Sequence, residues 1–243
     1  MYQKIFKRYE IKYLISQIQK DKILEIINKY MSIDQYGKTN IRNIYFDTPN
    51  YTIIRNSIEK PQYKEKLRIR SYTKPNNDTT IFIELKKKYD GVVYKRRLAL
   101  PFDITKEWLL ENKKIDNPNQ IINEIDYFIS YYKNLSPSLL LSYDREAYYG
   151  LEDKTLRITF DSNIIARDED LNLDSDIYGT NILPNDKILM EIKCNGGMPL
   201  WLTAILSQEK IYKQSFSKYG KAYENIIYPK LNKYNTKGEI KND

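Results

Sequence analysis

Charged and apolar residues alternate along several stretches of the chain, with the period of two that sends successive side chains of a β-strand to opposite faces. In "YKEKLRIRSY" (63–72) every second residue from position 64 to position 70 is a cation, whereas Leu67 and Ile69 point the other way. The same pattern predicts strands in "RYEIKYLIS" (8–16), "IRNIYFDTPNY" (41–51), "IFIELKKK" (81–88), "VVYKRRLAL" (92–100), "LLLSYDREAYYG" (139–150), "LRITFDSNI" (156–164) and "KILMEIKCN" (187–195). Most of these strands carry charge on one face.

Other stretches have apolar residues at helical spacing. They predict helices over residues 16–30, 118–132, 199–212 and 217–228, and an irregular surface loop over 167–186. Strands with a turn at Asp90-Gly91, combined with these helices, predict an α+β fold built on an antiparallel sheet. We expect residues 1–230 to form a single domain and residues 231–243 to form a polar C-terminal tail.

Composition narrows the chemistry. The 243 residues carry a formal net charge of +8, which favours a polyanionic partner. The chain has no histidine, which excludes Ser-His-Asp and Cys-His catalysis and most zinc sites, and its one cysteine, Cys194, excludes an intrachain disulfide. It has neither a P-loop nor a glycine-rich dinucleotide loop. Without a signal core or a bilayer-length apolar run, the sequence predicts a cytoplasmic protein.

The charged strand faces allow two arrangements. In an ordinary half-exposed sheet the charges face water. In an antiparallel barrel with a polar lumen, the apolar faces point outward under the helices, and the cations line the inside. The second arrangement gives the row of like charges in residues 63–72 a purpose, because a bound polyanion offsets their repulsion. It also explains why carboxylates share these faces, since they are the ligands that Mg²⁺ and Mn²⁺ prefer.

The chain resembles the VTC domain, the polyphosphate polymerase module of the vacuolar transporter chaperone complex, within the CYTH or triphosphate tunnel superfamily. The matching motifs, in the order the family has them, are "RYEIKYLIS", "IRNIYFDTPNY", "YKEKLRIRSY", "IELKKKYDGVVYKRR", "SYDREAYYG", "LRITFDSNI", "LMEIKCNG" and "SFSKYGKAY". The resemblance implies an antiparallel β-barrel tunnel with helices packed outside. One departure is Asn43, which stands where the family usually has serine.

The resemblance also implies roles for individual residues. The catalytic cations that it implies are Lys12, Arg68, Arg70, Lys86, Lys95, Arg145, Arg157 and Lys218. Further substrate or phosphate contacts are expected from Tyr143, Ser217, Lys66, Arg97 and Lys193. Glu191 is the expected ligand for Mn²⁺ or Mg²⁺, with Glu10 and Glu84 as helpers. The alternative for Glu191 is a structural ion pair with Lys193.

By this resemblance the chain is expected to be a metal-dependent phosphotransferase that moves the γ-phosphate of ATP onto a growing inorganic polyphosphate chain. The alternatives are an inorganic or nucleoside triphosphatase of the same fold, and a non-catalytic polyphosphate-binding module. ATP and inorganic polyphosphate are the expected partners, and nucleic acid is not. The SPX-like domain and transmembrane segment of the eukaryotic complex are not found in the sequence, so a membrane partner is left open.

Overall fold

The computed structural model describes residues 8–90 and 92–232. Its strands are β1 Arg8–Ile15, β2 Met31–Asp47, β3 Tyr63–Ser71, β4 Thr80–Tyr89, β5 Val92–Pro101, β6 Ser136–Gly150, β7 Arg157–Arg167, β8 Thr180–Asn181 and β9 Ile188–Asn195. Its helices are α1 Gln17–Tyr30, α2 Thr52–Ile58, α3 Phe102–Leu109, α4 Gln120–Tyr131, α5 Leu200–Gln208 and α6 Lys218–Ala222, the last followed by a π-helical turn, Tyr223–Ile227. The predicted α+β class is confirmed.

The strands form a nine-stranded sheet whose hydrogen-bonded order is β1-β9-β7-β6-β2-β3-β4-β5, with β8 paired to β7. The ladders β1–β9, β7–β9, β7–β8, β2–β3, β3–β4 and β4–β5 are antiparallel. Within the described residues no ladder joins β1 to β5. The large antiparallel sheet is therefore confirmed, whereas closure into a barrel stays a prediction.

The chain divides into two compact units. Unit 1 comprises the described residues of the spans Met1–Thr39, Tyr143–Ile164 and Leu183–Phe216, and unit 2 those of Asn40–Ser142, Ile165–Ile182 and Ser217–Asp243. The expectation of one domain over 1–230 stays a prediction. Of the predicted tail, Leu231 and Asn232 are helical, and 233–243 lie outside the described residues.

In unit 1 the helices α1 and α5 pack on one face of the strands β1, β9 and β7. Tyr13 from β1, Ile158 and Phe160 from β7, and Ile192 from β9 belong to this core, and the partly buried Ile11 packs against it. The helices contribute residues such as Ile23, Ile27, Leu202 and Leu206. Ser16 starts α1 with a capping box in which its side chain and that of Gln19 each accept a backbone N–H. The apolar half of each alternation is thus buried, which leaves the charged half on the opposite face.

In unit 2 the helices α3 and α4 cover the apolar face of β3 and β4. The strands supply Leu67, Ile69, Ile81, Ile83 and Leu85, each fully buried, and the helices supply Trp108, Leu109, Ile122, Ile125 and Phe128. The Trp108 indole N–H also donates to Asp126 across the two helices at 2.9 Å. As in unit 1, this packing turns the charged residues of the strands to the opposite face. Among the described residues no helix has the length and hydrophobicity to cross a bilayer.

Candidate functional site

The polar face of β3, β4 and β5 in unit 2 is almost wholly cationic, and we call it the cationic face. Strand β3 contributes four cations, β4 two and β5 two, and one carboxylate lies among them. The members are Lys64, Lys66, Arg68, Arg70, Lys86, Lys88, Lys95, Arg97 and Glu84. The strand register therefore confirms that these alternating residues share one face.

Like charges lie directly opposite one another on this face. Lys86 in the middle strand is paired with Lys66 on one side and with Lys95 on the other, so three ammonium-bearing residues form one row across the sheet. Lys64 is paired with Lys88 in the next row. Burial and then the neighbouring Lys88, Lys60 and Lys86 lower the pKa of Lys64. Directly opposed like charges destabilise a sheet, so this arrangement has a cost that a bound polyanion would remove.

Glu84 holds the adjacent row of cations in place. Its side chain is only 1% exposed, and its two carboxylate oxygens accept from different partners. Arg68 binds Oε2 through Nε and Nη2 at 2.7 Å each, while Lys95 and Arg97 bind Oε1 at 2.6 and 2.7 Å. Burial would raise the pKa of Glu84, but Arg68, Arg70 and Lys95 outweigh it and hold the pKa well below its ordinary value.

Asn43 and Tyr45 on β2 continue these rows. Tyr45 is paired with Arg68 and Asn43 with Arg70. Asn43 is fully buried, accepts from Arg70 Nε at 2.9 Å and donates to the Leu141 carbonyl at 3.1 Å. At this position asparagine therefore orients a cation.

Tyrosine side chains line the cationic face. The Tyr45 hydroxyl accepts from Arg68 at 3.0 Å. Burial acts to raise the pKa of Tyr45, but Arg68 and then Lys66 overcome this effect and lower the pKa to about 7. Tyr72 shows the same balance: burial raises its pKa, Arg70 and Arg97 lower it, and the result is about 8. These two phenols can therefore add negative charge to the face near neutral pH.

The start of α6 lies under Tyr45 in the same unit. Ser217 caps this helix by accepting from the Gly220 N–H at 3.1 Å, and a Cβ at position 220 would lie 3.2 Å from the serine Oγ. Tyr219 stacks on Tyr45 with ring centroids 4.6 Å apart, and its hydroxyl donates to the buried Asp47 at 2.8 Å. Ser217 is therefore the N-cap, and Lys218 is the first residue of the helix. Phosphate contacts by Ser217 and Lys218 stay predictions.

Unit 1 carries a second polar face, in which cations and carboxylates alternate, and we call it the mixed face. Its charged members are Glu10, Lys12, Arg145, Arg157, Asp161, Glu191 and Lys193, brought together by β1, β9, β7 and β6. Glu191 lies opposite Lys12 on one neighbouring strand and opposite Thr159 on the other. Tyr143 lies beneath Arg145, whose guanidinium carbon is 5.1 Å from the ring centroid.

Glu191 makes long ion pairs with three cations. Its oxygens lie 3.7 Å from Lys12 Nζ, 3.6 Å from Arg145 Nη2 and 3.8 Å from Lys193 Nζ. Glu10 is paired with two of the same cations, Lys12 at 3.4 Å and Lys193 at 3.8 Å. Burial lowers the pKa of Lys193, and Glu191 and Glu10 offset only part of this effect. The ion pair between Glu191 and Lys193 that the sequence left as an alternative is therefore present, alongside two others.

Asp161 is engaged differently. It accepts two hydrogen bonds from Arg145, at 2.5 and 2.6 Å, in the bidentate geometry that orders a guanidinium most strongly. This carboxylate is fully buried. It therefore fixes the orientation of Arg145, which also lies 3.6 Å from Glu191.

The carboxylates differ in how well they fit a divalent metal. Mg²⁺ in phosphate sites usually takes one or two carboxylates and completes its shell with phosphate oxygens and water. Glu191 and Glu10 fit this pattern, because they are two carboxylates on one face that share Lys12 and Lys193 as neighbours. Glu84 fits poorly, because close cations occupy both of its oxygens. Within the described residues no cluster of three acidic, cysteine or histidine ligands forms a cage of protein ligands alone.

Each predicted residue thus falls into one of these groups. The cationic face holds Arg68, Arg70, Lys86, Lys95, Lys66, Arg97 and Glu84; the mixed face, with Tyr143 beneath it, holds Lys12, Arg145, Arg157, Lys193, Glu10 and Glu191; and the start of α6 holds Ser217 and Lys218. Sequence reasoning did not assign functions to Asn43, Tyr45, Tyr72, Asp161 and Thr159. Alternation places Asp161 and Thr159 on the face of Arg157, so that signal was available.

A separate cavity of about 340 Å³ lies in unit 2 among α2, α4 and the start of β3. Tyrosine side chains line it, and the hydroxyls of Tyr63 and Tyr132 both donate to Glu65. Glu65 and Lys87 lie on the helix-covered side of the sheet, opposite the cationic face. This cavity is therefore not the place where the alternating cations converge.

Comparison with known proteins gives one family and a set of similar folds. The model of the family described as the VTC domain matches residues 7–227. No curated protein matches the chain. The fold is similar to that of a candidate adenylate cyclase from Bacillus halodurans, with a TM-score of 0.54 and 15% identity over 86% of this chain and 92% of the other.

Two further structures are similar to the chain. A candidate adenylate cyclase from Vibrio parahaemolyticus gives a TM-score of 0.50 and 11% identity over 90% of this chain and 98% of the other. A candidate adenylyl cyclase from Hippeastrum, for which a dominant triphosphatase activity is reported, is also similar. Its TM-score is 0.52, with 16% identity over 86% of this chain and 92% of the other. At these identities the similarity concerns the fold, which is CYTH-like.

Proposed function

The chain belongs to the VTC domain family, and we propose that it is a polyphosphate polymerase that transfers the γ-phosphate of ATP to a growing inorganic polyphosphate chain. The observation that carries this proposal is the row Lys66–Lys86–Lys95, in which like charges lie directly opposite one another. A linear polyanion relieves that repulsion along the whole row, whereas a single small anion relieves only part of it.

The cationic face is proposed to bind the phosphates. Arginine guanidinium groups bind phosphate through paired hydrogen bonds, and lysines act as point charges. Glu84 keeps Arg68, Lys95 and Arg97 ordered before substrate arrives, so less conformational entropy is lost on binding. The proposal includes the antiparallel tunnel that the family resemblance implies, because enclosure would strengthen these contacts by excluding water.

The mixed face is proposed to hold the metal. Glu191, with Glu10 beside it, would hold Mn²⁺ or Mg²⁺, which when bound neutralises charge on the transferred phosphoryl group. Lys12 and Lys193 pair with both carboxylates, and Arg145 pairs with Glu191, so these cations orient them. They also add positive charge where negative charge develops in the transition state.

The reaction needs no histidine base. A terminal oxygen of polyphosphate is already ionised at neutral pH and attacks the γ-phosphorus of ATP. The bond between the γ-phosphorus and the β–γ bridging oxygen breaks, and ADP leaves with that oxygen. Catalysis then depends on positioning and charge stabilisation, which the chain's lysines and arginines supply. Phosphotransferase chemistry is therefore compatible with a sequence that contains no histidine.

A triphosphatase is the second candidate. The similar Hippeastrum structure, with its reported triphosphatase activity, favours it, since the same fold can direct water to the γ-phosphorus. A binding module without turnover is the third. The presence of Glu191 and Glu10 among the cations of the mixed face argues against it, because a site built only to retain anions gains nothing from carboxylates.

The deciding experiment is to incubate the purified protein with ATP and Mn²⁺ or Mg²⁺, and to resolve the products by gel and by phosphate release. We expect a ladder of long polyphosphate that forms with metal and not with a chelator. Free phosphate without a ladder would replace the polymerase with the triphosphatase. If ATP stayed intact with each of the two metals, the binding module without turnover would be the remaining candidate.

A matched pair of variants assigns any activity to the cationic face. Lys86→Ala removes the centre of the lysine row, whereas Lys87→Ala removes the next residue of β4, whose side chain points to the opposite face. We expect Lys86→Ala to lower turnover about tenfold at limiting ATP, the loss of one charged contact to phosphate, and Lys87→Ala to leave it nearly unchanged. Equal effects of the two variants would argue against the proposed face.

A further inference from the structure

Thr159 occupies a position on the mixed face that its own neighbours do not explain. It is only 1% exposed, and its hydroxyl has no hydrogen-bond partner among the described residues. A buried hydroxyl left unpaired is destabilising, so most buried polar groups in proteins are paired. We therefore expect the hydroxyl to bind a partner other than the described residues.

The position of Thr159 indicates what that partner is. Thr159 is the direct cross-strand neighbour of Glu191, and Arg157 shares its face two residues earlier on β7. The Nε–H of Arg157 is also buried and lacks a hydrogen-bond partner among the described residues. Arg157 Nε can only donate, and a threonine hydroxyl can donate as well. Two unpaired donors on one face, beside cationic side chains, suit an anionic oxygen acceptor.

We propose that Thr159 is a phosphate-contacting residue, whose hydroxyl donates to a non-bridging oxygen of the phosphate bound beside Glu191. This proposal rests on the proposed function and names a residue of that same site. Arg157 Nε donates to the same phosphate chain. A β-branched residue in a strand has a restricted χ1, so threonine holds its hydroxyl in one direction, as a fixed contact requires.

A purely structural hydroxyl would behave in the opposite way. If Thr159 only filled space, replacing it with the similarly shaped valine would remove an unpaired polar group and change nothing else. If the hydroxyl contacts phosphate, it lowers the stability of the free protein, where it is unpaired, and raises the affinity for phosphate in the complex. The two roles therefore differ in what happens to stability and to affinity in the same variant.

The test compares Thr159→Val, Thr159→Ser and Ser142→Ala. The probe is inorganic tripolyphosphate without metal, with affinity measured by calorimetry and stability by thermal unfolding of the free protein. Ser142 is the matched control, because its hydroxyl is equally buried and unpaired among the described residues, but alternation along β6 places it on the opposite face from Tyr143.

We expect Thr159→Val to weaken tripolyphosphate binding about tenfold, the loss of one hydrogen bond to a charged group, while the free protein unfolds at the same or a higher temperature. Thr159→Ser should keep most of the affinity, and Ser142→Ala should not change it. Unchanged affinity in Thr159→Val would overturn the proposal, as would a loss of affinity matched by Ser142→Ala or accompanied by a comparable loss of stability.

This experiment separates the proposal from the proposed function. If the unaltered protein does not bind tripolyphosphate, the phosphate-site assignment itself fails, and Thr159 fails with it. If the unaltered protein binds and Thr159→Val binds equally well, only the role of Thr159 is refuted.

Discussion

The cationic face of unit 2 and the mixed face of unit 1 place charge on a sheet in different ways. Among the described residues the cationic face has eight cations and one carboxylate, whereas the mixed face has four cations and three carboxylates. The first is a surface of one sign that needs an external partner. The second is nearly balanced by its own residues.

Their central carboxylates differ in the same sense. Glu84 is bound by Arg68, Lys95 and Arg97 at 2.6–2.7 Å, the length of strong charge-assisted hydrogen bonds. Glu191 lies 3.6–3.8 Å from Lys12, Arg145 and Lys193. Glu84 is therefore a fixed internal counter-ion, whereas the distances alone do not give Glu191 that role. Since both side chains are buried and acidic, we expect the proposed metal-binding role of Glu191 to distinguish the two in the tests below.

The largest effect should come from testing that difference through turnover. We expect Glu191→Gln to lower the rate of ATP consumption at saturating ATP by about 10²–10³-fold, because removing one electrostatic contributor in a preorganised site typically costs this much. Tripolyphosphate affinity should change little, because the cations remain. Steady-state kinetics with Mn²⁺, paired with calorimetry, measure both quantities.

The result that would contradict this prediction is an effect of Glu191→Gln like the one expected at Glu84. If Glu191→Gln left turnover intact, or weakened binding as much as turnover, Glu191 would be an internal counter-ion like Glu84, and the distinction between the two faces would fail.

Glu84→Gln should act mainly on stability. Removing one member of a buried ion cluster leaves its partners uncompensated, although Lys95 and Arg97 are partly exposed and can relax, so we expect a loss of about 2 kcal/mol in the free energy of unfolding. Since the folded pKa of Glu84 is lowered, its contribution is present above the unfolded value of about 4.3 and is lost as the pH falls below it.

Urea titrations at several pH values measure this effect. The difference between the unaltered protein and Glu84→Gln should be largest at neutral pH and should shrink below about pH 4. A difference that stays constant across this range would show that the carboxylate charge is not what stabilises the row.

Sequence alternation predicted which residues share each face, because a strand's side chains follow a strict period of two. The register confirms this for Lys66, Lys86 and Lys95, and for Lys12 and Glu191. Alternation does not encode distance, so the close contacts of Glu84 and the looser ones of Glu191 were not predictable, and both glutamates were assigned to a metal. The functional roles of these residues stay predictions.

Other elements and contacts of the structure could not be predicted from the spacing of apolar residues. Residues 31–40 form the first part of β2, but their sequence, "MSIDQYGKTN", is mostly polar and lacks the alternation that predicts a strand. Helices α2 and α3 have seven and eight residues, which is too short for helical spacing to repeat clearly. The contacts of Tyr45 with Arg68 and Tyr219 join distant parts of the chain, so no local pattern encodes them.

The third test examines how far the cationic face behaves as a polyelectrolyte surface. Arg97→Ala should weaken tripolyphosphate binding about tenfold and reduce the slope of log affinity against log salt by about one, because one phosphate contact is lost. Arg96→Ala is the control, since Arg96 lies on the other face and pairs with Glu124 at 2.9 Å. Equal slopes for the two variants would contradict the proposed direction of Arg97.

The smallest effect concerns proton uptake at the cationic face. Its cations lower the pKa of Tyr45 to about 7, and a bound polyanion would screen them and return the pKa toward its ordinary value near 10. Binding then takes up a proton above pH 7, so tripolyphosphate affinity should fall as the pH rises from 7 toward 9. Tyr45→Phe removes this group and should bind about threefold more tightly than the unaltered protein at pH 9, with little difference at pH 6.

Taking the ratio of the two affinities at each pH cancels the titration of tripolyphosphate itself, and Tyr94→Phe serves as the control because Tyr94 is exposed and points away from Lys95 along β5. A ratio that does not change with pH would mean that Tyr45 keeps its proton throughout. In that case the hydroxyl serves only to orient Arg68, and Glu84 would be the acidic side chain that offsets the cations of this face among the described residues.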